Sequence, residues 1–321
     1  MRDRPAEMTE SDLVAALSDG WGLDVAELTY RPVGAGSYHW SVLDDTDRTW
    51  FVTVDDLGAD PEGRDVVFAE LGRAFDTALV LHRDAGLGTV VAPVPTGDGT
   101  SVYRLDPRYA VSVFPLLDGV AGRFGPHRPA DLPEVLDLLV TLHQATPVVA
   151  RTAGRFVPDL PGRQRLEAAL DDLDRPWHTG PYAEPTRKLL TVQTVRIHGW
   201  LADLDRLAAR VAQTGAEPVV THGEPHPGNL LRTADGLRLV DWDTVRLAPP
   251  ERDLWLVTED PDLLADYSRA TGRPVDVAGL AFHRLRWKLA DIAIYVDELR
   301  RPHGESADNA ASWSYLTSYF D

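Results

Sequence analysis

The spacing of hydrophobic residues changes along the chain and divides it into two parts. Up to about Leu117, apolar residues alternate with polar ones or form short runs, which predicts β-strands. Six such runs span residues 27–33, 37–43, 49–54, 89–94, 101–105 and 109–117. One helix is predicted among them, over residues 62–86, because apolar residues recur there at helical spacing and Gly86 provides an end.

Beyond this point apolar residues recur every three or four positions, which predicts helices. The predicted helices span residues 129–146, 163–173, 184–215, 260–272 and 277–301. Two apolar runs, at 217–223 and 236–243, predict strands on either side of a loop. The pattern predicts a bilobal α+β protein, with an N-terminal lobe over residues 1–117 and a helical C-terminal lobe over residues 118–321. Such proteins usually bind ligands in the cleft between lobes.

Composition excludes several kinds of chemistry. The chain has 321 residues and no cysteine, so disulfides, thiolate metal sites and cysteine nucleophiles are excluded. Residues 1–9 are polar, and no apolar run approaches the ~20 residues that a membrane span requires. We therefore expect a cytoplasmic protein.

The formal net charge of -18 bears on the partner. Nucleic acids and anionic membranes call for basic surfaces, so neither is an expected partner. A cationic small molecule is favoured, while the alternative explanation is that acidity only keeps the protein soluble.

The segment VVTHGEPHPGNLL, residues 219–231, carries the candidate chemistry. Its two prolines favour extended backbone, so the segment is predicted to be a loop. Asn229 lies in this loop, and Asp241 follows it by twelve residues at the end of an apolar run. An amide oxygen and a carboxylate suit Mg²⁺, which completes its coordination with waters and substrate phosphates. Glu224 is then available to orient a hydroxyl and accept its proton.

These residues resemble a known family. HGEPHPGN followed by LVDWD is similar to the H-G-D-x-x-x-x-N and D-x-D motifs of aminoglycoside phosphotransferases, which share the protein-kinase-like fold. The longer run 239–257 is most similar to the spectinomycin phosphotransferase branch. The resemblance implies a nucleotide-dependent O-phosphotransferase with a small antiparallel-sheet N-terminal lobe, using Mg²⁺ and ATP or GTP. It also implies that Asn229 and Asp241 bind the metal.

Glu224 stands where kinases of this fold carry a catalytic aspartate. The longer side chain moves the carboxylate by ~1.5 Å, about one C–C bond. General-base help is typically worth roughly 10²–10⁴-fold in rate, so a displaced carboxylate is expected to slow turnover without abolishing it.

Four polar residues near these positions have structural explanations beside functional ones. The resemblance implies that His222 braces the metal-binding strand and that Asp253 anchors the loop from a neighbouring helix. His226 either contacts substrate or is a hydrogen-bonded spacer. Asp243 either helps to hold the metal or belongs to the scaffold.

The motif GAGS predicts part of a nucleotide site in the N-terminal lobe. Gly34 and Gly36 allow the backbone to approach phosphates, and Ser37 adds a hydroxyl donor. Standing alone, the motif fits an ordinary hairpin turn. Together with the downstream loop it predicts a turn that covers phosphates.

Kinases of this fold place a lysine on the third strand, where it pairs with nucleotide phosphates and a helix glutamate. Thr53 occupies that position here, and no lysine occurs in the first 187 residues. Glu70 is the candidate helix glutamate, or else an exposed helix residue. We hypothesise that Arg64 or Arg73 of the same helix supplies the missing charge.

The run VSVFPLLDG ends in Asp-Gly where the predicted lobes join, and it resembles the hinge of these kinases. The resemblance implies that backbone groups around Phe114 and Leu116 hydrogen-bond a purine edge. Pro115 cannot donate there. The sequence does not distinguish ATP from GTP.

The acceptor implied by the resemblance is an aminoglycoside, an aminocyclitol or another hydroxylated natural product, which phosphorylation inactivates, as in antibiotic resistance. Acids near aromatic residues at the end of the chain suit a cationic ligand, although core packing explains the same aromatics. These residues are Asp308, Trp313, Tyr315, Tyr319, Phe320 and Asp321.

Three alternatives stay open. A biosynthetic kinase acting on a metabolite or peptide hydroxyl has the same motifs. A pseudokinase that binds nucleotide or a metabolite and regulates a partner fits the departures at Thr53 and Glu224. A metal-dependent hydrolase is disfavoured, because His222, Glu224 and His226 alternate along a loop and do not share a helix face.

Overall fold

The computed structural model of the protein describes residues 1–34, 36–215 and 217–321. The strands are β1 (Val25–Arg31), β2 (Ser37–Asp44), β3 (Thr49–Asp56), β4 (Tyr103–Arg104), β5 (Tyr109–Pro115), β6 (Val120–Ala121), β7 (Val219–Thr221), β8 (Leu230–Thr233), β9 (Gly236–Leu239) and β10 (Arg246–Ala248). The helices are α1 (Glu10–Trp21), α2 (Arg64–Arg83), α3 (Leu132–Gln144), α4 (Thr146–Val149), α5 (Arg163–Asp171), α6 (Ala183–Gln213), α7 (Glu251–Val257), α8 (Pro261–Thr271), α9 (Val277–Arg300) and α10 (Ala307–Ser318). Across the described residues, none of these helices combines the length and the apolar character that crossing a membrane requires.

The described residues divide into two compact units. The first contains Met1, residues 3–156 and residues 217–275. The second contains Arg2, residues 157–215 and residues 276–321. The first unit therefore holds both the N-terminal sheet and the predicted catalytic loop. The lobe boundary after residue 117 was proposed from the change in hydrophobic spacing and not from compactness, and it stays a prediction.

The sheet of the first unit has five strands in the order β1-β2-β3-β5-β4, with antiparallel neighbours. One face packs against α1, where Leu13 and Leu17 join Trp40 in a buried cluster. Helix α1 begins with a capping box, since Thr9 and Asp12 each accept a hydrogen bond from the other's backbone N–H.

The opposite face of this sheet carries polar side chains. Side chains alternate between the faces of a strand, and His39 of β2, Thr53 of β3 and Ser112 of β5 are cross-strand partners on the face away from α1. Ser37 faces Asp55 one step nearer the β1–β2 turn. Near the glycine motif, this face of the sheet is therefore polar.

The structure confirms the antiparallel N-terminal sheet and the helical C-terminal region, and it corrects several details. Helix α1 was not predicted. The predicted strand over residues 89–94 is wrong, because Val90 forms only an isolated bridge to Leu239. Pro93, which has no N–H to donate, interrupts that segment.

In the second unit, α5, α6, α9 and α10 pack together. The aromatic residues at the end of the chain take part in this packing. The Tyr319 hydroxyl donates to the Asp291 carboxylate, and the Phe320 ring stacks on Trp200 with centroids 5.7 Å apart. Burial raises the pKa of Asp291. Core packing thus accounts for Tyr319 and Phe320.

Candidate active site

One buried aspartate anchors the start of the predicted catalytic loop. Asp253 of α7 accepts hydrogen bonds from the backbone N–H groups of His222, at 2.9 Å, and Gly223, at 2.6 Å. Burial alone would raise the pKa of Asp253, but the hydrogen bond and charge of His143 and the charge of Arg252 outweigh it and lower that pKa. The carboxylate therefore stays ionised and holds the loop, as the sequence predicts.

Gly223 has a φ of 102°, in the region that favours glycine. A Cβ at this position would overlap the guanidinium of Arg252. Arg252 is itself fixed, since it donates to the Thr221 hydroxyl at 2.8 Å and to the Thr244 carbonyl at 2.7 Å. The loop accordingly has no room for a side chain at residue 223.

His222 connects the loop to the segment that leads to Asp241. Its Nδ1 accepts the N–H of Glu224 at 3.2 Å, and its Nε2 lies 2.8 Å from the Val240 carbonyl. Acceptance at Nδ1 leaves Nε2 to donate to Val240. Burial lowers the pKa of His222 to about 4, so the ring is neutral at pH 7. These contacts agree with the bracing role expected for His222.

Asn229 and Asp241 are brought together by one backbone hydrogen bond. The N–H of Val240 donates to the carbonyl of Asn229 at 3.0 Å, which places Asp241 next to the loop. The buried Asn229 side chain donates through Nδ2 to the Glu224 carbonyl at 3.1 Å, leaving its oxygen as an acceptor. Asp241 has a φ of 68°. Non-glycine residues in this left-handed region occur preferentially at functional sites.

Four acidic side chains, including Asp241, interact electrostatically next to Asn229. Asp241 is an exposed residue, but neighbouring protein groups keep water from part of its carboxylate. This partial burial, with repulsion from Asp243, Glu224 and Asp55, raises the pKa of Asp241 well above its usual value. Such a cluster favours binding a proton or a cation. Within the described ranges, no three or more His, Cys, Asp or Glu side chains are arranged to hold a metal ion by themselves.

Glu224 is flanked by a histidine with an aromatic neighbour. Its side chain is 30% exposed, and Oε2 lies 4.0 Å from Nε2 of His226. The His226 ring packs edge to face on Phe124, which is itself 63% exposed, with centroids 4.9 Å apart. Burial lowers the pKa of His226 to about 4. His226 is therefore a neutral ring beside the candidate base.

The glycine motif forms the turn between β1 and β2. Gly34 and Gly36 have φ values of 68° and 92°, which only glycine adopts readily. Ala35 lies outside the described residues. Ser37, predicted as a phosphate donor, donates its hydroxyl to Asp55 at 2.6 Å. Burial raises the pKa of Asp55 to about 7, an effect that the Ser37 hydrogen bond opposes and Asp243 increases.

At the position predicted for the third-strand lysine, Thr53 lies next to His39. Thr53 is buried, and its hydroxyl lies 3.4 Å from Nδ1 of His39. The His39 ring stacks on Phe51, with centroids 5.0 Å apart and planes 27° apart. Burial lowers the pKa of His39 to about 4.

Arg64 and Arg73 were hypothesised to supply the missing charge, which stays a prediction, and in the described residues neither forms an ion pair with Glu70. Arg64 donates through Nε to the Gly58 carbonyl at 2.7 Å, and Arg73 is an exposed residue of α2. Glu70 instead lies 3.5 Å from a guanidinium nitrogen of Arg246 in β10. The candidate helix glutamate thus has an arginine partner from the segment that follows Asp241.

The predicted hinge lies at the end of β5. Phe114 is buried, and its ring packs edge to face on Phe75 at 5.4 Å. Leu116 is 37% exposed, and its N–H donates to the Thr49 carbonyl over a long 3.4 Å. After the hinge, the N–H of Gly122 donates to the Pro227 carbonyl at 2.9 Å. The linker is thereby tied to the catalytic loop.

Sequence reasoning did not single out His39, Asp55, Gly122 or Arg246 as site residues. Two of them carry a signal that alternation along strands provides, since residues 37 and 39 share one face of β2 and residues 53 and 55 share one face of β3. Gly122 and Arg246 depend on contacts between distant segments, for which the sequence holds no local signal.

These features define a protein-kinase-like fold, in which an antiparallel N-terminal sheet precedes a helical region that carries the predicted catalytic loop. The chain belongs to the phosphotransferase enzyme family, whose sequence pattern matches residues 28–287.

Relatives support this assignment. Protein StrN of Streptomyces griseus is 31% identical over 261 residues, which cover 77% of this chain and 76% of StrN. Spectinomycin phosphotransferase APH(9)-Ia, solved in complex with ADP and spectinomycin, is similar with a TM-score of 0.74 and 17% identity, over 98% of this chain and 96% of that one. Amicoumacin kinase hAmiN, solved with AMP-PNP, Ca²⁺ and Ami, is similar with a TM-score of 0.58 and 15% identity, over 97% and 92%. At these identities the two structures establish a shared fold.

Proposed function

We propose that the protein transfers the terminal phosphoryl group of ATP to a hydroxyl of a small natural product. The observation that carries this proposal is the braced loop, in which hydrogen bonds hold Glu224 and Asn229 beside Asp241. Family membership supplies the reaction class. The proposed division into lobes at residue 117 assigns nucleotide binding mainly to the N-terminal part.

The residues present suit Mg²⁺. Asn229 and Asp241 offer an amide oxygen and a carboxylate, the hard oxygen donors that this ion prefers. The raised pKa of Asp241 reflects excess negative charge, which a divalent cation would neutralise. When bound, Mg²⁺ neutralises charge on the phosphates during transfer. Asn229 and Asp241 would hold it, with phosphate oxygens and waters completing its coordination.

Glu224 is the proposed base. Its carboxylate accepts the proton of the acceptor hydroxyl while that oxygen forms a bond to the terminal phosphorus. The bond between that phosphorus and the bridging oxygen breaks, and ADP leaves with the bond's electrons. Positioning and charge neutralisation carry most of the acceleration in phosphoryl transfer, so the glutamate needs only to place a carboxylate near the hydroxyl.

The nucleotide is proposed to bind against the polar face of the N-terminal sheet. Gly34 and Gly36 permit a close backbone approach to phosphates, with Ser37 beside them. Backbone groups near Phe114 and Leu116 are the proposed contacts to the purine. The spectinomycin and amicoumacin enzymes, solved with ADP and AMP-PNP, support an adenine nucleotide, and GTP is the alternative donor. Use of ATP makes the cytoplasm the proposed compartment.

The acceptor is proposed to be a hydroxylated, cationic compound such as an aminocyclitol or aminoglycoside antibiotic. The net charge of -18 and the convergent carboxylates favour a cation. Spectinomycin and amicoumacin kinases share the fold, which supports the same class of acceptor. A biosynthetic kinase that acts on a related metabolite would use the same site.

A coupled assay of ADP release tests the proposal. Purified protein with Mg²⁺ and ATP is offered a panel of aminoglycosides, aminocyclitols and other hydroxylated natural products. We expect acceptor-dependent turnover with at least one compound, and we expect Asp241→Asn to abolish it. Tight nucleotide binding without turnover on any acceptor would instead support the pseudokinase alternative.

A further inference from the structure

We propose that His39 contacts the phosphates of the bound nucleotide and, with Thr53, takes the place of the missing third-strand lysine. This inference rests on the proposed function, since it assumes that a nucleotide binds against the polar face of the sheet. It concerns a residue that neither the predicted site nor the family assignment includes.

The position of His39 in the glycine motif is the first argument. Protein kinases cover the phosphates with a loop of the form G-x-G-x-x-G. Here Gly34 and Gly36 keep the first two glycines, and His39 stands at the third. A side chain at this position enters the space that glycine would leave open next to the phosphates. His39 therefore either binds the phosphates or obstructs them.

The second argument is the contact across the sheet. His39 pairs directly with Thr53, the residue at the lysine position, and their side chains meet at 3.4 Å. Nε2 of the same ring lies 3.4 Å from the point where a Cβ of Gly34 would stand. The imidazole thus extends from the lysine position to the glycine turn.

The His39 ring can also donate a hydrogen bond through Nε2. Stacking on Phe51 fixes its plane, and Thr53 occupies Nδ1. Nε2, on the other side of the ring, lies next to Gly34 of the glycine turn. A neutral imidazole that accepts the Thr53 hydroxyl at Nδ1 carries its proton on Nε2, where it can donate to a phosphate oxygen.

Three of the nearby arginines are engaged elsewhere, whereas Arg73 is exposed and lies beside Gly154. Arg64 donates to the Gly58 carbonyl, and Arg246 lies against Glu70. Arg31 is the cross-strand neighbour of His39, but its Nε donates to the Ser41 hydroxyl at 2.9 Å, farther from the glycine turn. In this proposal two residues share the roles of the lysine. Arg246 pairs with the candidate helix glutamate, and His39 binds the phosphates.

Calorimetric titration with Mg²⁺-ATP, Mg²⁺-ADP and adenosine tests this inference without requiring an acceptor. We expect His39→Gly and His39→Ala to weaken ATP and ADP binding by about 10- to 100-fold, the range for a hydrogen bond to a charged group. Adenosine affinity should stay unchanged, which also shows that the variants are folded. His198→Ala, which changes an exposed histidine of α6, is the matched control and should change none of the three affinities.

A second variant tests whether His39 replaces the lysine. Adding Thr53→Lys to His39→Gly restores the arrangement of protein kinases and should recover most of the lost ATP affinity. A folded double variant that recovers none would contradict the proposal. Unchanged or tighter ATP binding by His39→Gly would overturn it, tighter binding showing that His39 obstructs the site. If the wild-type protein and every variant fail to bind both ATP and adenosine, the proposed function is overturned as well.

Discussion

At the scale of single residues, the least expected feature is the glutamate that stands at the base position. Its backbone is held on both sides, because its N–H donates to His222 and its carbonyl accepts from Asn229. The added methylene therefore moves the carboxylate and leaves the loop in place. A reaction that depends mainly on positioning tolerates this only if the acceptor hydroxyl sits correspondingly farther from the loop.

The site therefore predicts an asymmetric response to substitution at residue 224. Glu224→Gln, which cannot accept the proton, should lower kcat by roughly 10²–10⁴-fold. Glu224→Asp keeps the carboxylate but withdraws it, and should lower kcat by about 10-fold or less. Steady-state ADP release at saturating ATP measures both. A Gln variant with the wild-type kcat would exclude Glu224 as the base.

The raised pKa of Asp55 predicts that the stability of the protein in metal-free buffer depends on pH. Burial raises the pKa of Asp55 to about 7 in the folded protein, whereas an unfolded aspartate titrates near ~4. Between these values the folded state binds more protons, so the free energy of unfolding falls as pH rises. The contribution of Asp55 is fully present below pH ~4 and lost as pH passes the folded pKa.

Asp55→Asn removes this titration. Urea unfolding at pH 5 and pH 8 should show a smaller loss of stability in the variant than in wild type, with the variant more stable at pH 8. Asp84→Asn, at an exposed aspartate, is the control and should shift stability equally at both values. An Asp55→Asn protein as pH-dependent as wild type would contradict the raised pKa.

The residues that the sequence identified and those that it missed differ in how they reach the site. Glu224 and Asn229 lie on one short loop with characteristic neighbours, so a local motif indicates them. His39 and Asp55 reach the site through the register of β2 and β3, which places them on one face. Register depends on pairing across the sheet, and a single sequence specifies it weakly until the turns are known.

At the scale of elements, the linker after the hinge packs closely against the catalytic loop. A Cβ on Gly122 would lie 2.6 Å from Cβ of Pro227 and 2.9 Å from its carbonyl oxygen. Glycine is therefore required for contact between two segments, while the backbone angle of this residue is ordinary.

Gly122→Ala should displace the loop that carries Glu224 and Asn229. Overpacking of this kind costs about 1–3 kcal/mol of stability, and the shift should also lower kcat. Thermal unfolding and ADP release measure the two effects. Gly199→Ala, in α6 with open space around the added methyl, is the control and should leave kcat unchanged. A fully active, equally stable Gly122→Ala protein would show that the contact is not tight.

The contact between α2 and β10 predicts a weak coupling. Glu70 and Arg246 are 61% and 21% exposed, and partly exposed ion pairs contribute about 0.2–1 kcal/mol. A double-mutant cycle of Glu70→Ala and Arg246→Ala, measured by urea unfolding, should give a coupling energy in this range that decreases at high salt. In a control cycle, Glu70→Ala and Arg83→Ala, some 20 Å apart along the same helix, should have additive effects on stability. A coupling of zero for the first pair would contradict the contact.

The elements themselves were predictable where their periodicity is long. Helices α6 and α9 lie within one or two residues of the predicted bounds, because many turns repeat the same apolar spacing. The strand predicted over residues 89–94 was wrong, because a short apolar run indicates burial but does not specify strand pairing. Helix α1 was overlooked because its capping box, Thr9 with Asp12, uses an aspartate in place of the usual glutamate.

At the scale of the whole molecule, the net charge of -18 and the convergent carboxylates oppose the approach of a nucleotide polyanion. Divalent cations resolve this opposition, because they neutralise both the phosphates and the carboxylates. Nucleotide binding without a divalent ion should consequently be weak. The same acidity favours a cationic acceptor.

The central claim is that Asn229 and Asp241 hold a divalent ion against the terminal phosphates. The most direct measurement is a crystal structure with AMP-PNP and Mn²⁺, in which anomalous scattering locates the metal. The account predicts a metal peak within about 2.5 Å of the Asn229 side-chain oxygen, the Asp241 carboxylate and a phosphate oxygen. A metal or triphosphate bound away from these two side chains would contradict it.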